Sequence, residues 1–153
     1  MSDIKLSAGV EITSKTTSCP TFNQYLKQLQ DDNKMTVTPE EFTVANQECE
    51  KDAACQKLIM LTAHRDSLWR VERCLQKIAW GLGDQSGNAA VVKDHLQAFD
   101  TVWITFETTY SKLTDPKNHI AELAYQYMKL LQGFAGKWRT ALAELKTDAS
   151  PSA

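Results

Sequence analysis

Apolar side chains recur at steps of three and four along three long stretches of the chain. The first stretch places seven core-facing positions on one side of a helix: Leu61, His64, Leu68, Val71, Leu75, Ile78 and Leu82. The second stretch has the same pattern over Val92, His95, Phe99, Val102, Phe106, Tyr110 and Leu113. The third has it over Ile120, Leu123, Tyr127, Leu131, Phe134, Trp138, Leu142 and Leu145. Each stretch predicts a long amphipathic helix with one side against a core.

Three prolines mark where helices are expected to begin. Pro20, Pro39 and Pro116 each occupy a position that suits a first helical turn. Thr38 and Glu41 have the spacing of a capping box, because a glutamate three residues after the cap can accept from the cap's backbone N–H. The sequence therefore predicts two short helices ahead of the three long ones, over about Pro20–Gln30 and Pro39–Glu50.

These elements predict an all-α protein. No alternation typical of a strand persists for more than four residues. Short connections between long helices favour antiparallel neighbours, so we expect an up-and-down antiparallel bundle of three long helices with two short N-terminal helices. Residues 19–147 are expected to form a single helical-bundle domain, preceded by a disordered or loosely attached segment (1–18) and followed by a flexible tail (148–153).

Composition and charge narrow the classes of partner. The formal net charge is -2, and no run of five like charges occurs, so nucleic acid is not an expected partner. No apolar run approaches the roughly 20 residues that cross a bilayer, so membrane insertion is not expected. The N-terminal residues lack the apolar segment of a signal peptide, which predicts a cytoplasmic protein, although export without a cleaved signal would give the same sequence.

The four cysteines raise the question of a disulfide or a metal site. Cys55 and Cys74 would lie roughly 28 Å apart on one helix and cannot share a bond or an ion. Cys49 and Cys55 would lie about 9 Å apart along an unbroken helix and could pair only if the chain breaks near residues 50–52. Asp52 could cap a new helix at such a break. Reduced thiols that fill small core spaces are the favoured expectation, and pairing of Cys49 with Cys55 stays open.

The histidines suggest a ligand-binding alternative. The common catalytic signatures are absent, including HExxH, the phosphate loop, Gly-x-Ser-x-Gly and Cys-x-x-Cys, so we expect no enzyme and no cofactor. His64 and His95 lie on the apolar sides of consecutive helices, but a simple hairpin would separate them by about 16 Å along the axis. If the third helix runs antiparallel to the first, His64 and His119 would lie within about 6 Å of each other along the helix axis. A small-ligand, haem or metal site at His64, His119 and His95 is therefore the alternative to histidines that only pack in the core.

A second set of side chains shares one face of the first long helix. These are Arg65, Trp69, Arg73, Lys77 and Trp80, spaced by fours and threes, and we call them the Arg/Trp face. Trp and Arg are over-represented in interface hot spots, so the face predicts a non-enzymatic protein–protein interaction module of adaptor, inhibitor, immunity or chaperone type. The partner is a protein of unknown identity, and a homodimer is left open. The alternative is that another helix of the bundle covers the two tryptophans.

Overall fold

Helices dominate a computed structural model of the protein, which describes residues 4–5, 11–12 and 19–149, with side chains over residues 19–145. The fold is all-α. The described residues contain six α-helices: α1 Phe22–Asp31, α2 Pro39–Lys51, α3 Ala53–Leu61, α4 Arg65–Ala79, α5 Gln85–Tyr110 and α6 His119–Ala149. One 3-10 turn lies between α3 and α4, over Thr62–His64. Two two-residue strands, β1 Ile4–Lys5 and β2 Glu11–Ile12, pair antiparallel.

The capping box predicted for α2 is confirmed. The backbone N–H of Glu41 donates to the Thr38 hydroxyl at 3.2 Å, and the backbone N–H of Thr38 donates to the Glu41 carboxylate at 3.4 Å. The first short helix begins two residues later than Pro20 suggests. Thr21 and Gln24 form a capping box there, which fixes the start of α1 at Phe22.

The start of the last helix differs from the one that Pro116 predicts. The Asp115 carboxylate accepts from the backbone N–H of Lys117 at 3.0 Å, which closes a turn around the proline. Asn118 is the residue that caps α6, since its side-chain oxygen accepts from the backbone N–H groups of Ile120 and Ala121. The helix therefore begins at His119, three residues after the proline.

The first long stretch is two α-helices with a tighter turn between them. α3 ends at Leu61, and the Thr62 hydroxyl donates to the Ile59 carbonyl at 2.5 Å. After the turn at Thr62–His64 the chain continues as α4. Beyond α4, Gly81 adopts a φ of 66°, a left-handed conformation that ends the helix where the sequence predicts a turn.

Cys49 and Cys55 form a disulfide, with their Cα atoms 5.2 Å apart. The expectation of reduced thiols is therefore wrong for this pair. The chain breaks at Asp52, which ends α2 and whose carboxylate accepts from the backbone N–H of Ala54 to cap α3. The break removes the separation that an unbroken helix would impose. Cys19 and Cys74 are not joined in a disulfide.

The expected terminal segments lie largely outside the described residues. Within residues 1–18, the structure describes the pair of β1 and β2, in which Ile4 is opposite Ile12. α6 continues to Ala149, two residues beyond the expected end of the domain, and residues 150–153 lie outside the described part. No helix in the described part is both long enough and apolar enough to cross a bilayer.

The tertiary contacts divide the chain into two compact units. The first unit comprises Met1–Cys19, Asp66–Asp100 and Gln132–Ala153, as far as the structure describes them, and the second comprises Pro20–Arg65 and Thr101–Leu131. In the first unit the buried side chains come from α4, α5 and α6 and include Leu68, Val71, Leu75, Phe99 and Trp138. In the second unit they include Leu58, Phe106, Ile120, Tyr127 and Leu131. Nine of these ten belong to the predicted apolar stripes, and Leu58 is the exception. The prediction is wrong for Leu82, which is 42% exposed because α4 ends before it, at Ala79.

Candidate functional site

The exposed side of α4 carries cations and one indole. Within the first unit, the exposed residues of this helix are Asp66, Trp69, Arg70, Arg73 and Lys77. The opposite side is buried and holds Leu68, Val71, Glu72, Leu75, Gln76 and Ile78. A helix with this division must turn its charged side outward, because the apolar side occupies the core. We call Trp69, Arg70, Arg73 and Lys77 the α4 face.

Arg73 stacks on Trp69. Its guanidinium carbon lies 5.5 Å from the centre of the indole, and the tryptophan remains 36% exposed. A cation over an exposed aromatic ring contributes about 0.5–1 kcal/mol, and the contact holds both side chains in one arrangement. Two interface-prone side chains are therefore pre-ordered at the surface of α4.

The structure places the five residues of the Arg/Trp face in different surroundings. Trp69, Arg73 and Lys77 are exposed on α4, whereas Trp80 follows the helix and is half-buried. Arg65 is the half-buried first residue of α4 and belongs to the second unit. Sequence reasoning missed Arg70, although it lies three residues from Arg73 and hence beside it on the helix surface.

The three histidines belong to two different units. His95 lies on α5 in the first unit, whereas His64 and His119 belong to the second unit. The imidazole of His119 lies 3.6 Å from the carboxylate of Glu41. Across the described part of the chain, no group of three or more His, Cys, Asp or Glu side chains has the arrangement of a metal site.

A groove of about 390 Å³ opens in the second unit between α2 and the start of α6. Val44, which is 52% exposed, and Ala45 supply its apolar lining. Its charged lining residues are Glu40, Glu41, Glu48, Asp115, Lys117 and His119, in which carboxylates outnumber basic side chains. We call this feature the acidic groove.

Asn118 joins the two walls of the acidic groove. This residue is buried, and its side-chain N–H donates to the Ala45 carbonyl of α2 at 2.9 Å. Its side-chain oxygen caps α6, so the amide uses its donor side on one wall and its acceptor side on the other. The sequence held one signal of this groove, since Glu41, Val44 and Glu48 recur at steps of three and four along α2.

The free thiol of Cys74 is poorly suited to nucleophilic chemistry. Cys74 is half-buried on α4, and burial raises the pKa of its thiol above the ordinary value, with nearby Lys77 acting in the opposite direction. A raised pKa keeps the thiol protonated at neutral pH, whereas the thiolate is the reactive form. The cysteine therefore packs as a small apolar side chain.

An aromatic cluster lies on α5 and α6 in the second unit. Tyr110 and Tyr125 have ring centres 4.8 Å apart, and Trp103 lies 6.0 Å from Tyr125. The Lys129 ammonium lies 5.0 Å from the centre of the Tyr125 ring. Burial raises the pKa of Tyr110, and the charges of Glu122 and Tyr125 raise it further.

The two surfaces differ in sign. The α4 face carries Arg70, Arg73 and Lys77, and the acidic groove carries an excess of carboxylates.

No family model, curated protein or solved structure matches this chain. The guide to its function is therefore the geometry of these surfaces.

Proposed function

We propose that the protein is a non-enzymatic protein–protein interaction module, of adaptor, inhibitor, immunity or chaperone type, which binds its partner through the α4 face. The observation that carries the proposal is the guanidinium of Arg73, 5.5 Å from the centre of an indole that stays 36% exposed. Exposed tryptophan is unfavourable for solubility unless a partner covers it. Arg and Trp are also the side chains that contribute most to interface hot spots.

The contact between Arg73 and Trp69 suits binding because it already restricts both side chains in the free protein, so they lose less conformational entropy when a partner binds. Immobilising a long side chain at an interface costs about 0.5–1.5 kcal/mol, and a side chain already held by a neighbour loses less. Trp69 would supply apolar contact area, and the cations at Arg70 and Lys77 would steer an acidic partner toward the helix. The α4 face therefore combines an apolar anchor with charge selection.

Replacement of the indole tests this function directly. Trp69→Ala should weaken partner binding by about 2 kcal/mol, or roughly 30-fold, because the substitution removes a hot-spot anchor. The measurement is quantitative recovery of co-purifying proteins from the protein's own cells, followed by titration of the recovered partner. Ile104→Ala is the matched control, since Ile104 is 63% exposed on α5 and does not belong to the α4 face.

Circular dichroism should first show that both variants keep the helical content of the wild type. Equal partner recovery by the Trp69→Ala variant and the wild type would remove the α4 face as the binding surface. Loss of recovery with Ile104→Ala as well would point to a binding surface that extends beyond α4.

The alternative function is a small-ligand, haem or metal-binding helical bundle built on His64, His95 and His119. His119 lies 3.6 Å from the carboxylate of Glu41, which also accepts from the backbone N–H of Thr38. A visible absorption spectrum and elemental analysis of natively purified protein test this alternative. A chromophore or a stoichiometric metal in that material would favour it over the interaction module.

We also propose the up-and-down antiparallel arrangement of the long helices. Contacts between α5 and α6 support it. Arg139 of α6 donates to the Leu96 carbonyl of α5 at 3.1 Å, whereas Tyr125, earlier in α6, packs on Trp103 and Phe106, later in α5. Partners thus run in opposite chain directions along the two helices, as antiparallel neighbours do.

A further inference from the structure

We propose that the partner of the α4 face is a second copy of this chain, whose acidic groove receives Trp69 and the flanking cations. This inference rests on the proposed function, because it assigns an occupant to the same face. The contact is between two different surfaces, the α4 face of one copy and the acidic groove of the next.

Charge complementarity selects this pairing. The α4 face presents Arg70, Arg73 and Lys77, and these three cations outnumber the single exposed carboxylate of α4, that of Asp66. The rim of the groove presents four carboxylates against two basic side chains, from Glu40, Glu41, Glu48, Asp115, Lys117 and His119. Two α4 faces placed together would bring cations against cations, and two grooves placed together would bring carboxylates against carboxylates. Both pairings are unfavourable because like charges repel. Of the three pairings of these surfaces between copies, face with groove is the one that brings opposite charges together.

The lining of the groove suits an indole. Val44 remains 52% exposed beside Ala45, so apolar surface lies open inside a ring of charged side chains. The buried amide of Asn118 already donates to Ala45 and accepts from the first turn of α6. An apolar group entering here would leave the existing bonds of that amide to Ala45, Ile120 and Ala121 in place.

The expected contact therefore has the form of a hot spot with a polar rim. The indole of Trp69 would cover Val44, and the guanidinium of Arg73 would reach the carboxylates around it. A desolvated aromatic anchor surrounded by charged pairs is the arrangement in which interface energy concentrates. A groove of about 390 Å³ has the volume to accept such a side chain.

Face and groove are distinct surfaces, so the association is head-to-tail. Such a contact closes into a ring when the rotation between copies permits and otherwise continues as an open chain. The wild-type protein should accordingly show a mass that rises with concentration. Added salt should lower that mass, because charges at a rim are screened over about 10 Å at 0.1 M ionic strength.

Sedimentation velocity and native mass spectrometry of the full chain measure the association. We expect species heavier than the monomer at low salt and fewer of them at high salt. A wild-type protein that stays monomeric at about 1 mM and low salt would overturn the proposal, since it bounds the association free energy to weaker than about 4 kcal/mol.

A pair of charge-reversed variants identifies the two surfaces. Arg73→Glu/Lys77→Glu should abolish self-association, because an acidic face meets an acidic groove. Glu40→Lys/Glu48→Lys should abolish it too, because a basic face meets a basic groove. An equimolar mixture of the two variants should restore association, since the reversed face then meets the reversed groove. A mixture that behaves as the sum of its components would reject the face–groove contact.

A matched control separates this contact from a general effect of net charge. Lys93→Glu/Lys137→Glu makes the same charge change at two exposed lysines of α5 and α6 and should leave the association unchanged. Loss of association in this variant would contradict the proposal.

The same variants separate failure of this inference from failure of the proposed function. If Trp69→Ala abolishes binding to a cellular partner while Glu40→Lys/Glu48→Lys changes no association, the interaction module stands and the second copy is wrong. If Trp69→Ala changes neither measurement, both proposals are wrong.

Discussion

Asn118 shows how one side chain fixes the position of two helices. Its amide caps α6 and donates to the Ala45 carbonyl of α2, and the residue is 5% exposed. A cap contributes about 1 kcal/mol, and the additional hydrogen bond to the Ala45 carbonyl contributes about 1 kcal/mol. Both terms depend on this one residue, so its effect on stability should exceed that of an ordinary surface cap.

Asn118→Ala should therefore lower the free energy of unfolding by about 2 kcal/mol. Urea denaturation followed by circular dichroism gives this quantity. Thr21→Ala is the matched control, because Thr21 caps α1 at a partly exposed position and should cost about 1 kcal/mol. Equal losses in the two variants would show that the bond to Ala45 adds nothing.

The raised pKa of Tyr110 predicts that the free energy of unfolding falls at alkaline pH. Its pKa is raised in the folded protein, first by burial and then by the charges of Glu122 and Tyr125, so the unfolded chain loses the phenolic proton at lower pH. Between the two pKa values the folded state holds more protons, and stability decreases as pH rises. The stability from this group is complete below the ordinary tyrosine pKa, about 10, and is lost above it.

The urea midpoint should consequently fall as the pH rises above about 10, and Tyr110→Phe should reduce that fall. Tyr25, whose pKa burial also raises, leaves a residual dependence in the variant. A wild type and a Tyr110→Phe variant with identical pH profiles would contradict this contribution.

At the scale of elements, the corner between α2 and α3 is held by one disulfide and two hydrogen bonds. The disulfide joins Cys49 to Cys55, and Asp52 between them caps α3. The second carboxylate oxygen of Asp52 accepts from the backbone N–H of Thr114 at 3.0 Å, in the connection between α5 and α6. The corner therefore positions the loop that borders the acidic groove.

Cys49→Ala/Cys55→Ala should lower the free energy of unfolding by about 2 kcal/mol, the chain-entropy value for a loop this short, with further loss from packing. Both cysteines are buried, at 3% and 1% exposure, so the cavity term adds to the loop term. Urea denaturation without reductant measures the change. Cys74→Ala is the control, because it removes a half-buried free thiol and no bond.

At the scale of the whole molecule, the disulfide bears on where the protein works. Disulfides form and persist in oxidising compartments and are rare in the cytosol. The sequence predicts a cytoplasmic protein, and the bond between Cys49 and Cys55 favours an oxidising location. The redox state of the cysteines in the protein's own cells distinguishes the two.

Alkylation of acid-quenched, denatured protein from those cells should label Cys19 and Cys74 without reductant, and Cys49 and Cys55 after reduction. Peptide mass spectrometry reads all four positions. Labelling of all four thiols without reductant would show that the bond is not formed in the cell and would favour the cytoplasm.

Local patterns predicted the elements well and their ends less well. The apolar stripes are buried at Leu68, Val92 and Tyr127, because helical periodicity is a property of neighbouring residues. The helix start predicted at Pro116 was wrong because Asn118, two residues later, also bonds to a distant helix. Part of the Arg/Trp face could be predicted, since Trp69 and Arg73 lie one turn apart on α4.

The sequence by itself determined that the chain is helical, roughly where α5 and α6 lie and which sides of the helices face the core, since those properties follow from steps of three and four. Only the tertiary structure decided that α2 and the start of α6 form the acidic groove, and how the α2–α3 corner is held to the connection between α5 and α6. The hydrogen bond between Asn118 and Ala45 joins residues 73 positions apart in the sequence, and the one between Thr114 and Asp52 joins residues 62 positions apart. No local period encodes such contacts, because they form only after separate helices have packed.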